Sequence, residues 1–403
     1  MNSSNHNHSP LSGIRVADFS VHAAGPFAGL MLAELGAEVI KVESAARLDI
    51  TRRPHTMYGK PPSSFEQVNA NKLSVCLNLK EPRALELALG LVRVSDLVLE
   101  NFRPGVMDRL GLGYSQLRKV KPGIIMVSLS SNGQTGLESR YAGYAPMVAA
   151  LGGLGYLTGY PDGPPVELSH AMDHTGGMMA AFCAVAALCI RRGASLGQHV
   201  DVSVRDVATS FIGPALLDYA MNGREQHRQG NWDEAMAPHG VYQCRGADSW
   251  ISIAVGSEEE WQGFCRALGN PPWAIETRFA DAYQRWINRE ELDRRLEEWT
   301  SQHTPEEATQ LLQREGVAAF PSRSADQLMN DSHLLARNAF PTVEHPDKGR
   351  QRAVAPPWRF SITKAQVDRW TPELGQHNLE VFHGLLGLSV DDVRSLEEAK
   401  VIW

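Results

Sequence analysis

Five short stretches of the 403-residue chain carry side chains able to do chemistry. SHAMDHTGG (169–177) sets Asp173 between two histidines at the mouth of an apolar run, GMMAAFCAVAALCIRR. A carboxylate there has two uses. It can cap a helix by accepting the unpaired N–H groups of the first turn. It can also stay ionised beside the positive end of the helix dipole and act as a nucleophile. Caps are far commoner than nucleophiles, so this stretch alone favours the cap. VHAAGP (21–26), VNANK (68–72) and ENFRPG (100–105) each read singly as ordinary turns. Together they bring small residues, amides and Arg103 or Arg109 to one sheet edge, which suits an extended ligand carrying phosphates. In AMAPHG, His239 stands alone near a domain boundary, where clefts form, and is a candidate for the substrate site.

Several familiar arrangements are missing. GxxxxGK[ST] is absent, so ATP-driven activation through a P-loop is not expected. GGLGYLTG (152–159) follows a helical run and lacks the spacing of a dinucleotide-binding turn. HExxH and GxSxG are absent too. The net charge of −7 argues against a general polyanion binder, so no nucleic acid partner is expected. Five scattered cysteines, never spaced as CxxC, read as reduced thiols of a cytoplasmic protein with no metal site. The opening MNSSNHNHSP reads as a polar tail without an apolar signal region. No uncharged segment of bilayer-spanning length is expected, and so no membrane partner.

The elements that must position these residues alternate. IRVADFS (14–20), EVIKVES (38–44), SVCLNL (74–79), DLVLENF (96–102), GIIMVSLS (123–130) and QHVDVSV (198–204) read as strands. PFAGLMLAELGA (26–37), EPRALELALGLVRVS (81–95), TGGMMAAFCAVAALCIRRG (175–193) and DVATSFIGPALLDYAMNG (206–223) read as helices. Short strands separated by such helices predict an α/β fold with a mainly parallel sheet. The texture shifts after 223, where REQHRQGNWDEAMAPHG is a polar connection. The reading is a large domain over 1–223, a small α+β domain over 224–327, and a segment over 328–403 that returns to the large domain.

Taken end to end, LSGIRVADFS, AGPFAGLMLAELGAEVIKVE, NANKLSVCLNLK, DLVLENFRPGVMDRLGLGY, SLSSNGQTG, MDHTGGMMAAFCAVAAL, GQHVDVSVRD and ELGQHNLEVFHGLLGLS resemble the class III CoA-transferases. This is the formyl-CoA, carnitine and bile-acid CoA-transferase group. The resemblance implies a Rossmann-like large domain formed by both chain ends, an inserted small domain, and two subunits threaded as interlocked rings. Either a homodimer or a heterodimer with a homologous chain fits. It implies that Asp173 is the nucleophile, passing CoA between carboxylic acids with no permanently bound cofactor. Coenzyme A and acyl-CoA enter as substrates.

The same resemblance places CoA contacts at Ala23, Ala24, Val68, Asn69, Asn71, Asn101, Phe102, Arg103 and Arg109. It places Tyr144 and Gly240 near the substrate. His239, from its place at the domain boundary, and Gly176 join them as expected substrate-site residues. The N–H groups of Gly176 and Gly177 at the helix start are expected to steady the developing oxyanions. Departures from the family pattern also matter. Ala23 stands where relatives often have glutamine, and Ser44 where an arginine is common, leaving Arg47 as its substitute. AMAPHG replaces the glycine-rich loop of formyl-CoA transferases, which argues against formyl-CoA or oxalate. Followed by GVYQC, it resembles members that use succinyl-CoA to activate substituted succinates. A 2-methylacyl-CoA racemase needs a base on each face of the substrate carbon, but those positions hold Tyr144 and Gly240.

Overall fold

Six short runs rich in valine, isoleucine and leucine form the strands of the main sheet, β1 (Arg15–Asp18), β2 (Glu38–Glu43), β3 (Leu73–Cys76), β4 (Leu97–Glu100), β5 (Ile125–Ser130) and β6 (His199–Ser203). The computed structural model of the chain describes residues 9–52, 64–168, 170–194, 196–345 and 349–403. The polar opening expected as a tail lies outside them, apart from Ser9 and Pro10. All strand pairs are parallel and the order is β3-β2-β1-β4-β5-β6. The order reverses between β1 and β4. At such a switch point the loops leaving the two strands diverge and open a crevice at their C-terminal ends.

Both faces of this sheet are covered. Val16, Leu99 and Val127 pack on one side with Ala28 and Leu32 of the helix Ala24–Glu34 and with Ala180, Ala184 and Ala187 of the helix Ala171–Ala194. Ala17, Val98 and Met126 pack on the other with Leu87 and Leu91 of the helix Pro82–Val94. Phe382 and Leu396, from near the C-terminus, join that second cluster. The returning chain also closes the free edge of the sheet. Cys76 N–H donates to Asn378 Oδ1 (3.0 Å), Ser74 N–H to His377 Nδ1 (3.0 Å), and Leu77 bridges to Ile402. An edge strand covered in this way offers no template for stray pairing.

Packing divides the chain into two units, one of residues 1–155, 167–225 and 333–403, the other of 156–166 and 226–332. The second unit has an antiparallel sheet of β7 (His239–Gln243), β8 (Trp250–Ala254) and β9 (Ala318–Pro321), in the order β7-β8-β9. Its own core is built from Phe264, Phe279, Leu292 and Leu296.

Three expectations are corrected. The long apolar helix begins at Ala171, four residues before the expected start. By length and composition Ala171–Gly193 could cross a bilayer, which no segment was expected to do. Here its buried alanines pack on the sheet, as in a core helix. The single helix expected over 206–223 is two, Val204–Phe211 and Gly213–Asn222. Pro214 explains the break: it has no N–H to continue the first helix but suits the opening turn of the second.

Glu34 ends the first helix buried, with no hydrogen-bond or ionic partner among the described residues. Desolvation pushes its pKa from 4.5 up to about 8. Between those values the folded chain holds a proton that the unfolded chain has released, so stability falls as pH rises from 4.5 to about 8. Glu34→Gln is expected to match the parent near pH ~4 and to exceed it near pH ~9, read from urea midpoints. Equal midpoints at the higher pH would show that the carboxylate is stabilised after all.

Candidate functional site

The site is built on a brace beneath the turn that follows β1. Asp18, at the end of that strand, is fully buried, and its Oδ1 accepts from the Ser20 N–H (2.9 Å) and hydroxyl. Lys72 Nζ donates to Asp18 Oδ2 (2.9 Å), Asn69 Oδ1 (2.9 Å) and Pro26 O (2.8 Å). Lys41 Nζ donates to Ser20 O (2.6 Å). Burial alone would raise the Asp18 pKa, but Lys72 and Lys41 outweigh it and hold the carboxyl below its usual range. The brace fixes residues 20–26 from below and leaves no space above: a Cβ on Gly29 would sit 2.7 Å from Asp18 Oδ2.

The turn after β4 is locked to the turn after β1. Asn101 accepts from Val21 N–H through Oδ1 (2.7 Å) and donates to Val21 O through Nδ2 (2.8 Å). Glu100, buried at the end of β4, accepts the Phe102 N–H (2.8 Å), and burial lifts its pKa to about 7.

A cavity of about 500 Å³ opens over these turns. Val21, His22, Ala24, Arg47, Asn101, Phe102, Arg103, Tyr144 and Asp173 are among the residues that line it. Arg47 and Arg103 are exposed and have no ionic partner among the described residues. Two unpaired arginines in the lining of one cavity suit a phosphorylated ligand. Arg47 thus lies on the cavity, three residues beyond Ser44 at the end of β2.

Asp173 is the third residue of the long helix, not the residue before it, so the expected N-cap role is corrected to a first-turn position. His170, with φ at +61°, immediately precedes the helix, and its carbonyl accepts the His174 N–H (3.2 Å). The side chain is 27% exposed, with His170 Nδ1 4.0 Å from Oδ2. Burial raises the Asp173 pKa, opposed by His170, His174 and His22. A partly desolvated carboxylate is more basic and a better nucleophile than one in open water.

The expected donors Gly176 and Gly177 sit too deep in the helix, where each N–H is used by the carbonyl four residues earlier. These glycines serve packing instead. A Cβ on Gly177 would lie 2.6 Å from Ala24 O, and one on Gly176 3.1 Å from Val204 Cγ2.

The other expected contacts divide. Ala24, Asn101, Phe102, Arg103 and Tyr144 line the cavity with Asp173. Ala23 and Arg109 are not among its lining residues. Val68 and Asn69 are buried, Asn69 as a partner of Lys72. Asn71 is spent on the returning chain: it donates to Gln366 O (2.7 Å) and accepts from Asp368 N–H (2.8 Å) and Arg369 N–H (2.9 Å). His239 and Gly240 belong to the second unit, where His239 Nδ1 meets Asn231 O (2.7 Å) and Gly240 lines a separate pocket of about 240 Å³. His22 was overlooked, because VHAAGP reads as a small-residue turn.

The sequence profile of CoA-transferase family III matches residues 11–378. The chain belongs to this family. Succinyl-CoA–D-citramalate CoA-transferase of Chloroflexus aurantiacus is 34% identical over 397 residues, 98% of each chain. Acetyl-CoA:oxalate CoA-transferase of Acetobacter aceti is 35% identical over 332 residues, 82% of this chain and 85% of that one. The crystal structure of a CAIB/BAIF family protein from Brucella suis matches with a TM-score of 0.85 at 29% identity, covering 94% of this chain and 100% of that one. This family III protein is therefore an enzyme that transfers CoA.

Proposed function

We propose that the enzyme moves CoA from an acyl-CoA thioester, with succinyl-CoA as donor, to a substituted succinate through covalent intermediates on Asp173. The observation that carries this reading is the position of Asp173: a partly exposed carboxylate in the wall of the switch-point cavity, which also holds Arg47 and Arg103. Its carboxylate attacks the thioester carbonyl, the C–S bond breaks, and CoA leaves as the thiolate from an acyl-aspartyl anhydride. The thiolate then attacks the aspartyl carbonyl, releasing the donor acid and leaving an aspartyl–CoA thioester. The acceptor carboxylate attacks that carbonyl and expels the thiolate. The thiolate attacks the acceptor's acyl carbon, which gives the new thioester and frees Asp173. Each thioester broken is balanced by one formed, so no ATP is consumed.

The names of relatives support the choice of acids. D-citramalate is itself a substituted succinate, and the Chloroflexus transferase that accepts it aligns over 98% of this chain. The Acetobacter relative acts on oxalate, whereas AMAPHG in this chain favours a larger acid. The experiment is a mass-spectrometric screen of purified enzyme with succinyl-CoA and a panel of acids. New thioesters are expected with C4 and C5 dicarboxylates. Transfer to oxalate or formate alone would reject this substrate assignment.

An interlocked dimer in the cytoplasm completes the proposal, and five unpaired cysteines are consistent with a reducing compartment. The long helix and its successors expose Met178, Phe182 (68%), Ile190, Phe211, Leu217 and Met221, apolar side chains that a partner subunit would cover. The enzyme is expected to sediment as a dimer, with a thermal midpoint that rises with protein concentration. A folded monomer in dilute solution would contradict this; activity only with a second, homologous chain would make the dimer a heterodimer.

A further inference from the structure

His22 follows β1 by four residues, at the point where the strand order reverses. Its φ of +64° places it in the left-handed region, where a non-glycine residue is uncommon and costs about 1 kcal/mol. The surrounding contacts hold it there. Asp49 Oδ2 accepts the His22 N–H (3.0 Å), while Asp49 Oδ1 accepts from Thr51 N–H (2.9 Å) and hydroxyl (2.7 Å). On the other side, Val21 is gripped through both its N–H and its carbonyl by Asn101. Strained backbone maintained on both flanks is a feature of residues whose side chains must point somewhere specific.

The imidazole is exposed and lines the same cavity as Asp173. Its ring lies edge-on to Tyr144, centroids 6.5 Å apart, and its nitrogens have no hydrogen-bond partner among the described residues. The histidines beside Asp173 are placed differently. His174 Nδ1 is tied to His170 O (2.9 Å) and its ring abuts Phe27, while His170 shares the nucleophile's own helix turn. His22 reaches the same cavity from a different element, and its charge interaction favours the ionised Asp173 carboxylate. The helix glycines cannot supply an oxyanion donor, since their N–H groups are already bonded.

We propose that His22 is a catalytic residue whose ring N–H donates to the oxyanion formed when Asp173 attacks the thioester. This deepens the Asp173 reading and rests on it. As the new C–O bond forms, the carbonyl π pair moves onto oxygen, and the imidazole N–H holds that charge. The pair returns as the C–S bond breaks and CoA leaves as thiolate. No proton changes hands, and the same donor serves each later attack.

Three variants test it, because glycine relieves the backbone strain while removing the ring. His22→Gly is expected to fold at least as stably as the parent and to bind CoA within about twofold of it. Its kcat should fall about 10²–10³-fold, the effect of losing one oxyanion donor. His22→Asn, whose amide tolerates the left-handed turn and still donates, should recover at least about tenfold over His22→Gly. His22→Ala should be as slow as His22→Gly and less stable. Normal kcat in His22→Gly would make His22 a turn residue only. A raised KM at unchanged kcat would make it a binding contact, and equal losses in Gly and Asn variants would remove the donor role; each overturns the proposal. Failure of the Asp173 reading looks different: the parent enzyme itself would then form no covalent adduct on Asp173.

Discussion

Asp173→Asn is expected to lower kcat by at least about 10³-fold, as removal of a covalent nucleophile does. The amide is nearly the same size and keeps its place in the first turn, so the helix and the cavity should persist. CoA binding should stay within a few-fold of the parent, and the thermal midpoint should move little. The change gives up a favourable charge–dipole interaction of about 0.3–1 kcal/mol, offset by removing a charge that burial disfavours. Asp173→Ala should be equally inactive. Steady-state kinetics with calorimetric CoA binding separate the two effects. Near-normal turnover in Asp173→Asn would leave the carboxylate a first-turn charge and nothing more.

Lys72→Met is expected to cost about 3–5 kcal/mol of stability, the usual result of removing one partner of a buried ion pair. Both side chains of the Lys72–Asp18 pair are fully buried. Without Lys72, the Asp18 charge keeps only Lys41 and Ser20 nearby, and Pro26 O and Asn69 Oδ1 lose their donor. Urea unfolding should show the loss, and activity should fall with it, because the same lysine anchors the start of the helix that supports the cavity turn. Asp18→Asn/Lys72→Met should recover part of the stability, since no uncompensated charge is then left buried. The low Asp18 pKa adds a pH signature. Parent stability from this pair is present above the unfolded value of 3.8 and is lost as pH falls through the lower folded value. A Lys72→Met protein as stable as its parent would mean that the brace contributes little.

Much of the large unit was legible because its strands are buried on both faces. IRVADF, EVIKVE and GIIMVSLS are short and rich in valine and isoleucine, and helical patterns separate them, as in a covered parallel sheet. The third strand of the other unit was missed: Ala318–Pro321 is only four residues, exposed on alternate positions and closed by a proline. Segment 156–166 belongs with 226–332 through tertiary packing, such as the hydrogen bond from Asn231 to Tyr160 (3.0 Å), and no local pattern announces that.

The site was legible as a set of loops and less so residue by residue. Asn101 lines the cavity, yet its amide is committed to Val21. Asn71 sits in an equally loop-like stretch and is spent on a segment almost 300 positions away. Long-range hydrogen bonds of this kind leave no trace in spacing. Gly176 and Gly177 show a similar limit, since a glycine beside a nucleophile reads as an oxyanion donor until the helix start is known. His22 was hidden for the opposite reason. Its importance lies in a backbone angle and an empty space, neither of which a residue type reveals.

The most direct measurement is a single incubation of the enzyme with acyl-CoA donor and no acceptor. The mixture is quenched, treated with hydroxylamine, digested, and read by mass spectrometry. An acyl anhydride or CoA thioester on a carboxylate is activated and will be trapped, whereas a carboxylate that only sits in a helix turn is inert. The expected result is a hydroxamate on the peptide containing Asp173, absent from Asp173→Ala. Solvent deuterium appearing at the α-carbon of a 2-methylacyl-CoA, with no adduct on that peptide, would contradict covalent transfer through Asp173 and point to racemisation instead.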